Sequence, residues 1–440
     1  MKMLAPETRA GEYLPVWGET MNNKPGVTLM VLMCVFAVNS LDRHILSITL
    51  NQISAEFSLT NTQLGLLSGI WFAFVYVLFG IPIARLAATG NRRNIISVSA
   101  AVWSALTIAM AGAQNFLQLA LARLGVGIGE AGAVAPAHSM ISDLYSKESR
   151  TSAMATFVAG ANIGVLLAFL IGGVVGQMMG WRWAFVIAGV PGLVLAAIMR
   201  FAVPEPERSW QYASESTKGS LVLKTAKTIW QDRGLFHALC GISIVGIVTF
   251  GALAWNPTLI IRGHGLSQAQ TGLYLALVIG VGGALGTWLS GKLADRLGSI
   301  DSRWRIGVVI AAILLAKPFH VVFLVSETVV LSLSAFVVAA AMASIFWGPT
   351  FAYVHSRVEP YMRPMATALF LFAFNMIGVG IGPTFIGWAS DFVFADWGNR
   401  SIAIALLAVQ IAGIWAAWHY WQVVKLIGQE DALSPADRSE

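Results

Sequence analysis

Residues 27–50 read VTLMVLMCVFAVNSLDRHILSITL. As a helix this stretch is long enough to cross a hydrocarbon core of about 30 Å, which takes about 20 apolar residues. Yet Asp42, Arg43 and His44 stand side by side in it. A charge at the centre of a bilayer costs about 2.5–3.5 kcal/mol on insertion scales. Whether the stretch spans a membrane therefore decides the fold, and composition answers. Of 440 residues, 57% are hydrophobic and only 11% charged, against about 25% charged in a soluble domain. Apolar stretches recur along the whole chain. The fold class predicted is an all-α polytopic membrane protein with twelve transmembrane helices.

The spans are predicted near 27–54, 62–89, 94–113, 115–143, 151–176, 183–201, 235–262, 269–293, 305–325, 327–357, 363–391 and 399–426. Lys and Arg orient them, because basic residues stay in cytoplasmic loops. Lys2, Arg9 and Lys24 precede the first span, and Arg85, Arg92 and Arg93 follow the second. Lys147 and Arg150, then Arg208, Lys218, Lys224, Lys227 and Arg233, then Lys292, Arg296, Arg303 and Arg305, then Arg357 and Arg363 occupy every later even loop. The odd loops carry mainly Arg182, Arg262 and Arg400. Both termini are expected in the cytoplasm, with the protein multi-pass in the inner (plasma) membrane. The net charge of +6 is then topological and implies no nucleic-acid partner. Residues 1–26 contain no h-region, so no cleavable signal peptide is expected and the first span serves for insertion.

The expected organisation is a cytoplasmic tail (1–26), a six-helix bundle (27–201), a cytoplasmic linker (202–234), a second six-helix bundle (235–426) and a second cytoplasmic tail (427–440). Within the linker, GSLVLKTAKTIWQDRG (219–234) places Val222, Ala226, Ile229 and Trp230 on one face of a helix. Such a helix suits either the inner leaflet or a solvated connection.

The halves repeat. Leu59, Gln63 and Gly65 in LTNTQLG match Leu266, Gln270 and Gly272 in LSQAQTG at an offset of 207. Pro136, Arg150 and Asn162 match Pro349, Arg363 and Asn375 at an offset of 213. Parallel repeats of this kind in transporters place substrate near mid-membrane, between halves that rock about it.

GKLADRLG (291–298) resembles the G-x-x-x-D-R-x-G loop of the major facilitator superfamily. The resemblance implies that fold, two bundles related by a pseudo-two-fold axis along the membrane normal. It also implies that Gly291, Asp295 and Arg296 gate the cytoplasmic side, Asp295 by facing a helix N-terminus, where a carboxylate gains about 0.3–1 kcal/mol. In the first copy Ala88 and Thr89 replace the Asp-Arg pair, while Arg92 and Arg93 remain as gating candidates.

Asp42 falls about 22 Å into the first span at 1.5 Å per residue, past mid-membrane. The fourth span carries Arg123 and Glu130, two turns apart on one face, hence separated by about 10 Å. Two acids and two bases thus share one depth on two helices, which is how buried charges are tolerated. A salt-bridge network pinning the helices would account for them. Paired charges facing a bundle interior more often mark a substrate or proton path. Gly125, Gly127 and Gly129 allow close approach of either a ligand or a neighbouring helix.

LDRHIL (41–46), RLGVGIGEAG (123–132) and PAHSMISDLY (136–145) resemble bacterial members of the Spinster family, a lipid-transporting branch of the superfamily. The resemblance implies Asp42, Arg43, Arg123 and Glu130 as the substrate-binding quartet, with Asp42 and Glu130 coupling protons. It implies an amphiphilic anion as substrate, lysolipid or sphingoid-phosphate-like. The alternatives are a proton-coupled carboxylate symporter, which shares these charges, or a substrate-sensing receptor on a transporter fold. On this reading the arginines take the anionic headgroup while the two acids compete for them. No cofactor is expected beyond a proton gradient, and the partners are the substrate, protons and membrane lipid around a monomer.

No enzyme is indicated, since H-E-x-x-H and G-x-S-x-G are absent and the seven histidines lack metal spacing. His138 and His355 are expected at the interface. Lys317 could offer a cation to a headgroup or snorkel outward. Asn162 and Asn375 suggest interhelical hydrogen bonds, and Pro136, Pro191, Pro349 and Pro383 suggest kinks. Cys34 and Cys240 read as small buried hydrophobes.

Overall fold

The structure, a computed structural model, describes residues 25–208 and 215–433. Among the described residues twelve helices are long and apolar enough to cross a membrane, as composition requires, and no strand occurs. The first half comprises α1 (Pro25–Phe57), α2 (Asn61–Ser68 continuing as Ile70–Thr89), α3 (Arg92–Met110), α4 (Phe116–Glu130 and Val134–Leu144), α5 (Lys147–Met179) and α6 (Trp181–Phe201). A linker helix, α7, spans Glu215–Gln231, four residues earlier at its start than the pattern suggests. The second half comprises α8 (Arg233–His264), α9 (Gln268–Leu275 through Gly283–Gly298), α10 (Trp304–Val325), α11 (Val329–Ala343 and Trp347–Arg357), α12 (Arg363–Trp388) and α13 (Ser401–Leu433). The last helix thus runs into the segment expected as a tail, while residues 1–24 and 434–440 lie outside the described residues.

The repeat is visible in backbone detail. Thr60 with Gln63 and Ser267 with Gln270 form capping boxes at the starts of α2 and α9, each satisfying orphan N–H groups of a first turn. The turns before them use left-handed residues at the same offset of 207, Ser58 at φ 52° and Gly265 at φ 67°. α4 and α11 break at equivalent points, after Glu130 and after Ala343. Pro136 and Pro349 stand in the first turn of each resumed segment. There a missing N–H costs nothing, so these prolines restart helices instead of kinking their interiors. Pro191 and Pro383 do lie inside helices.

Packing between the halves concentrates at the face opposite the basic loops. A Cβ added at Gly65 of α2 would lie 2.7 Å from the Pro383 carbonyl of α12, and one at Gly173 of α5 would lie 2.9 Å from the Gly272 Cα of α9. Gln268 donates to the Gly172 carbonyl (2.7 Å), and Arg262 donates to Asn51 (2.6 Å) and Asn61 (3.1 Å). Asp391, just past α12, accepts from the Thr62 backbone N–H (2.6 Å), the Thr62 hydroxyl (2.7 Å) and the Asn61 N–H (3.3 Å). Near the basic loops, the second segments of α4 and α11 pack chiefly on helices of their own halves.

Candidate functional site

α1 is held against α5 because Gly160 and Gly164 leave no Cβ between the helices; added ones would lie 2.4 and 2.1 Å from the Met33 and Ala37 carbonyls. This contact fixes the rotation of α1 and aims Asp42 and Arg43 inward. The α4 glycines set the other wall. A Cβ at Gly129 would lie 2.8 Å from the Trp103 backbone nitrogen of α3, and one at Gly127 would meet Val75 of α2 at 2.8 Å. Of the two uses the sequence left open for these glycines, the structure shows helix packing.

The expected quartet comes together. Arg43 donates to Glu130 Oε2 from Nη2 (2.8 Å) and Nε (3.2 Å), with Glu130 fully buried and Arg43 17% exposed by side chain. Arg123, 2% exposed, makes no ion pair with Asp42. It donates to the backbone carbonyls of Asp42 (3.4 Å) and Arg43 (3.3 Å) and lies 4.5 Å from the Phe72 ring centre. Asp42 accepts from the Thr107 hydroxyl at 3.2 Å. Direct ion pairing therefore joins one acid and one base of the four, Arg43 and Glu130. The four formal charges sum to zero, but the site is under-bonded: one oxygen each of Asp42 and Glu130, and Arg123 Nε, have no protein partner among the described residues. His44 stands apart from the quartet, bonded to the Ser40 carbonyl of its own helix (2.7 Å).

Sequence reasoning missed Phe72, Tyr76 and Thr107. Arg43 lies over both rings, 5.2 Å from Phe72 and 5.3 Å from Tyr76. Ring faces attract guanidinium groups by about 0.5–2 kcal/mol, so α2 steadies both arginines without neutralising them. The i, i+4 spacing of these two aromatics was the available signal.

The repeat-equivalent position in the second half is chemically opposite. The offset of 207 that relates α1 to α8 carries Asp42 and Arg43 onto Thr249 and Phe250. The offset of 213 that relates α4 to α11 carries Arg123 and Glu130 onto Phe336 and Ala343. A cavity lies there, walled by Thr249, Phe336, Ala343, Phe346 and Trp347, with Lys317 and His320 among its few polar side chains. Lys317 does not snorkel: it donates to Gln410 at 2.8 Å.

The gating candidates sit at the basic face. Asp295 and Arg296 are exposed, and a Cβ at Gly291 would meet nothing within 4 Å. Arg92 is buried and bonds Glu205 (2.7 Å), Ser139 (2.9 Å), the Pro206 carbonyl (2.9 Å) and Asp143. The Arg93 N–H donates to Glu205 (2.8 Å). Arg92 thus ties α3 to α4 and the linker, Arg93 ties α3 to the linker, and neither of these bonds bridges the halves. Where Ala88 and Thr89 replace the loop's Asp-Arg, Arg208 of the linker covers the freed carbonyls of Ala87 (3.0 Å), Ala88 and Gly90. A cation suits the carbonyl end of a helix.

The remaining polar candidates are local. His355 bonds Thr367 (2.7 Å) and His138 packs edge-on against Phe157. Asn375 donates within its own helix to the Leu371 carbonyl (2.8 Å), against the interhelical bond expected, and Asn162 is exposed. Cys34 and Cys240 are free and only partly buried. Among the described residues no cluster of metal-ligating side chains occurs.

The Major Facilitator Superfamily model matches residues 32–383. An MFS-type efflux pump of Mycolicibacterium smegmatis is 29% identical over 88% of this chain and 90% of its own. A cis,cis-muconate transport protein of Acinetobacter baylyi is 27% identical over 62% of this chain and 67% of its own. A sphingosine-1-phosphate transporter of Xenopus tropicalis is 26% identical over 81% and 72%. Among solved structures, a bacterial homologue of the human lysosomal transporter Spinster, inward-facing and unoccupied, superposes with a TM-score of 0.82 at 25% identity. It covers 92% of this chain and 98% of that one.

Proposed function

The chain belongs to the Major Facilitator Superfamily, in its Spinster branch, and from that premise we propose that it moves an amphiphilic organic anion by alternating access coupled to protons. It is a transporter and not an enzyme. The observation that carries the proposal is the under-bonded quartet. Of the two arginines only Arg43 contacts a carboxylate, that of Glu130, so cationic capacity is left for a ligand's phosphate or carboxylate. When the ligand engages Arg43, Glu130 loses the one partner it has among the described residues, in a site of low dielectric. A buried carboxylate without a cation favours its protonated form, which gives coupling.

The substrate class follows from the asymmetry of the halves. The first half presents four charged side chains, and the equivalent cavity of the second half is walled mainly by apolar ones with the single cation Lys317, which suits a headgroup on one side and an aliphatic body on the other. A sphingosine-1-phosphate transporter among the relatives supports this reading. A small carboxylate symporter is the second reading, favoured by the muconate transporter. The basic face is taken as cytoplasmic, with both termini there and the protein in the inner membrane as a monomer. The state is then inward-facing, since the packed face lies opposite the basic loops.

The test is binding of a lysophosphatidic acid and of muconate to purified wild type and Arg123→Ala, with proton-driven uptake in proteoliposomes for Asp42→Asn and Glu130→Gln. Loss of anion binding in Arg123→Ala and loss of proton-driven uptake in at least one carboxylate variant are expected. Unchanged affinity in the first would refute the headgroup assignment, and normal proton-driven uptake in both others would remove the coupling.

A further inference from the structure

Lys317 poses a separate problem. It sits in α10 and lines the cavity of the second half, in a chain region read as mid-membrane, where an ionisable residue is expensive and marks function by default. Its ammonium is seated deliberately. Gln410 of α13, 6% exposed, accepts from Nζ at 2.8 Å. One turn further along α13, Gly413 leaves the space that the ammonium fills: a Cβ there would lie 2.2 Å from Nζ and 2.9 Å from Cε. Among the described residues no Asp or Glu lines the cavity and Lys317 makes no ion pair. A neutral amide satisfies one donor of an ammonium that has three, and its charge stays uncompensated. The other polar side chains lining the cavity include Asn256, His320 and Thr249, none of which is an anion at neutral pH. The walls from Phe336 through Phe346 to Trp347 are apolar.

We propose that this cavity is a second anion subsite, in which Lys317 binds the carboxylate of an aliphatic monocarboxylate whose chain lies along Phe336, Phe346 and Trp347. One cation in an apolar chamber is neutralised by one negative charge, and Gln410 and Asn256 can donate their amide N–H groups to the remaining oxygen. The subsite uses no residue of the quartet. It goes beyond the transport reading by adding a place where an acid with an extended apolar body is recognised.

Trp347 lines the cavity, so its fluorescence reports occupancy. Wild type, Lys317→Met, Gly413→Ala and Arg123→Ala are reconstituted in zwitterionic nanodiscs and titrated with octanoate and with 1-octanol at neutral pH. Each apparent affinity is corrected for that ligand's own partitioning, measured in protein-free nanodiscs of the same lipid. Wild type is expected to prefer octanoate by at least tenfold. Lys317→Met should reduce that preference to threefold or less, and Gly413→Ala should do the same by displacing the ammonium while keeping its charge. Arg123→Ala should keep the preference, which separates this subsite from the quartet. Gly413→Ala carries the test if Lys317→Met does not fold. An unchanged preference in whichever of the two folds would overturn the proposal. So would a wild type that binds both ligands alike, or a preference lost in Arg123→Ala.

Discussion

Replacing Glu130 by Gln tests the competition at the centre of the site. Glu130 is fully buried and accepts twice from Arg43 through one oxygen, while its other oxygen has no partner. Gln keeps the shape and an acceptor but removes the charge. A hydrogen bond to a charged group is worth about 1.5–3 kcal/mol, and a neutral one about 0.5–1.5. Arg43 is therefore held less firmly by about 1–1.5 kcal/mol in Glu130→Gln. Arg43 is also the most exposed of the four and is already stacked on Phe72 and Tyr76, so it can turn to a ligand without leaving its rings. The affinity for an anionic lysolipid should rise by about tenfold, since 1.4 kcal/mol is one decade. Isothermal titration in nanodiscs at pH 7.5 would show it. A fall in affinity on Glu130→Gln would refute the competition, because Glu130 would then be orienting Arg43 for the ligand and not withholding it.

Two further substitutions probe the frame around the site. Gly129→Ala puts a methyl group 2.8 Å from the Trp103 backbone nitrogen and 2.9 Å from its Cβ, and overpacking of this kind costs about 1–3 kcal/mol. Thermal unfolding of the purified protein should shift down by several degrees, and a wild-type midpoint would show that α3 and α4 are not so tightly apposed. Asp391→Asn weakens three hydrogen bonds at the start of α2 and removes a carboxylate from a helix N-terminus, together about 1–2 kcal/mol. Spin labels on the outer ends of α2 and α12 should report a several-fold larger population with those ends parted; an unchanged distance distribution would exclude Asp391 as a closing contact.

The fold was legible because each of its signals is local. An apolar run, a capping box and a basic loop are read within about 20 residues, and the repeated LTNTQLG and LSQAQTG announce equivalent helix starts. The charged residues of the site were legible for another reason: Asp42, Arg43, Arg123 and Glu130 are too costly in a membrane to be there without a purpose. Their contacts were not legible. Whether Arg123 meets the carboxylate of Asp42 or its carbonyl depends on a helix rotation set by Gly160 and Gly164 on α5, far along the chain. Thr107, Phe72 and Tyr76 look like any apolar-span residues until that rotation is known. Lys317 read first as a snorkelling side chain, because only Gly413 and Gln410, nearly a hundred residues away, show where its ammonium rests.

The neutrality of the quartet leads to a last expectation, about electrical work. Two acids and two bases share the site, so with all four ionised the quartet itself contributes no net charge when the halves rock. A loaded carrier avoids burying an unpaired charge only if each negative charge on the cargo arrives with one proton on Asp42 or Glu130. A monoanion then travels with one proton and a dianion with two, and the site remains neutral in every rocking step. Uptake should follow the pH gradient and ignore the membrane potential. A single uncompensated charge would be worth about 2.3 kcal/mol per 100 mV, close to a fiftyfold change in accumulation. Proteoliposomes clamped with potassium and valinomycin at 0 and −100 mV, at a fixed pH gradient, separate these cases. Equal accumulation supports strict compensation. A shift of ten- to a hundredfold would mean that charge crosses with the cargo, and that the co-burial of these four residues serves to pin α1 to α4 and not to balance what is carried.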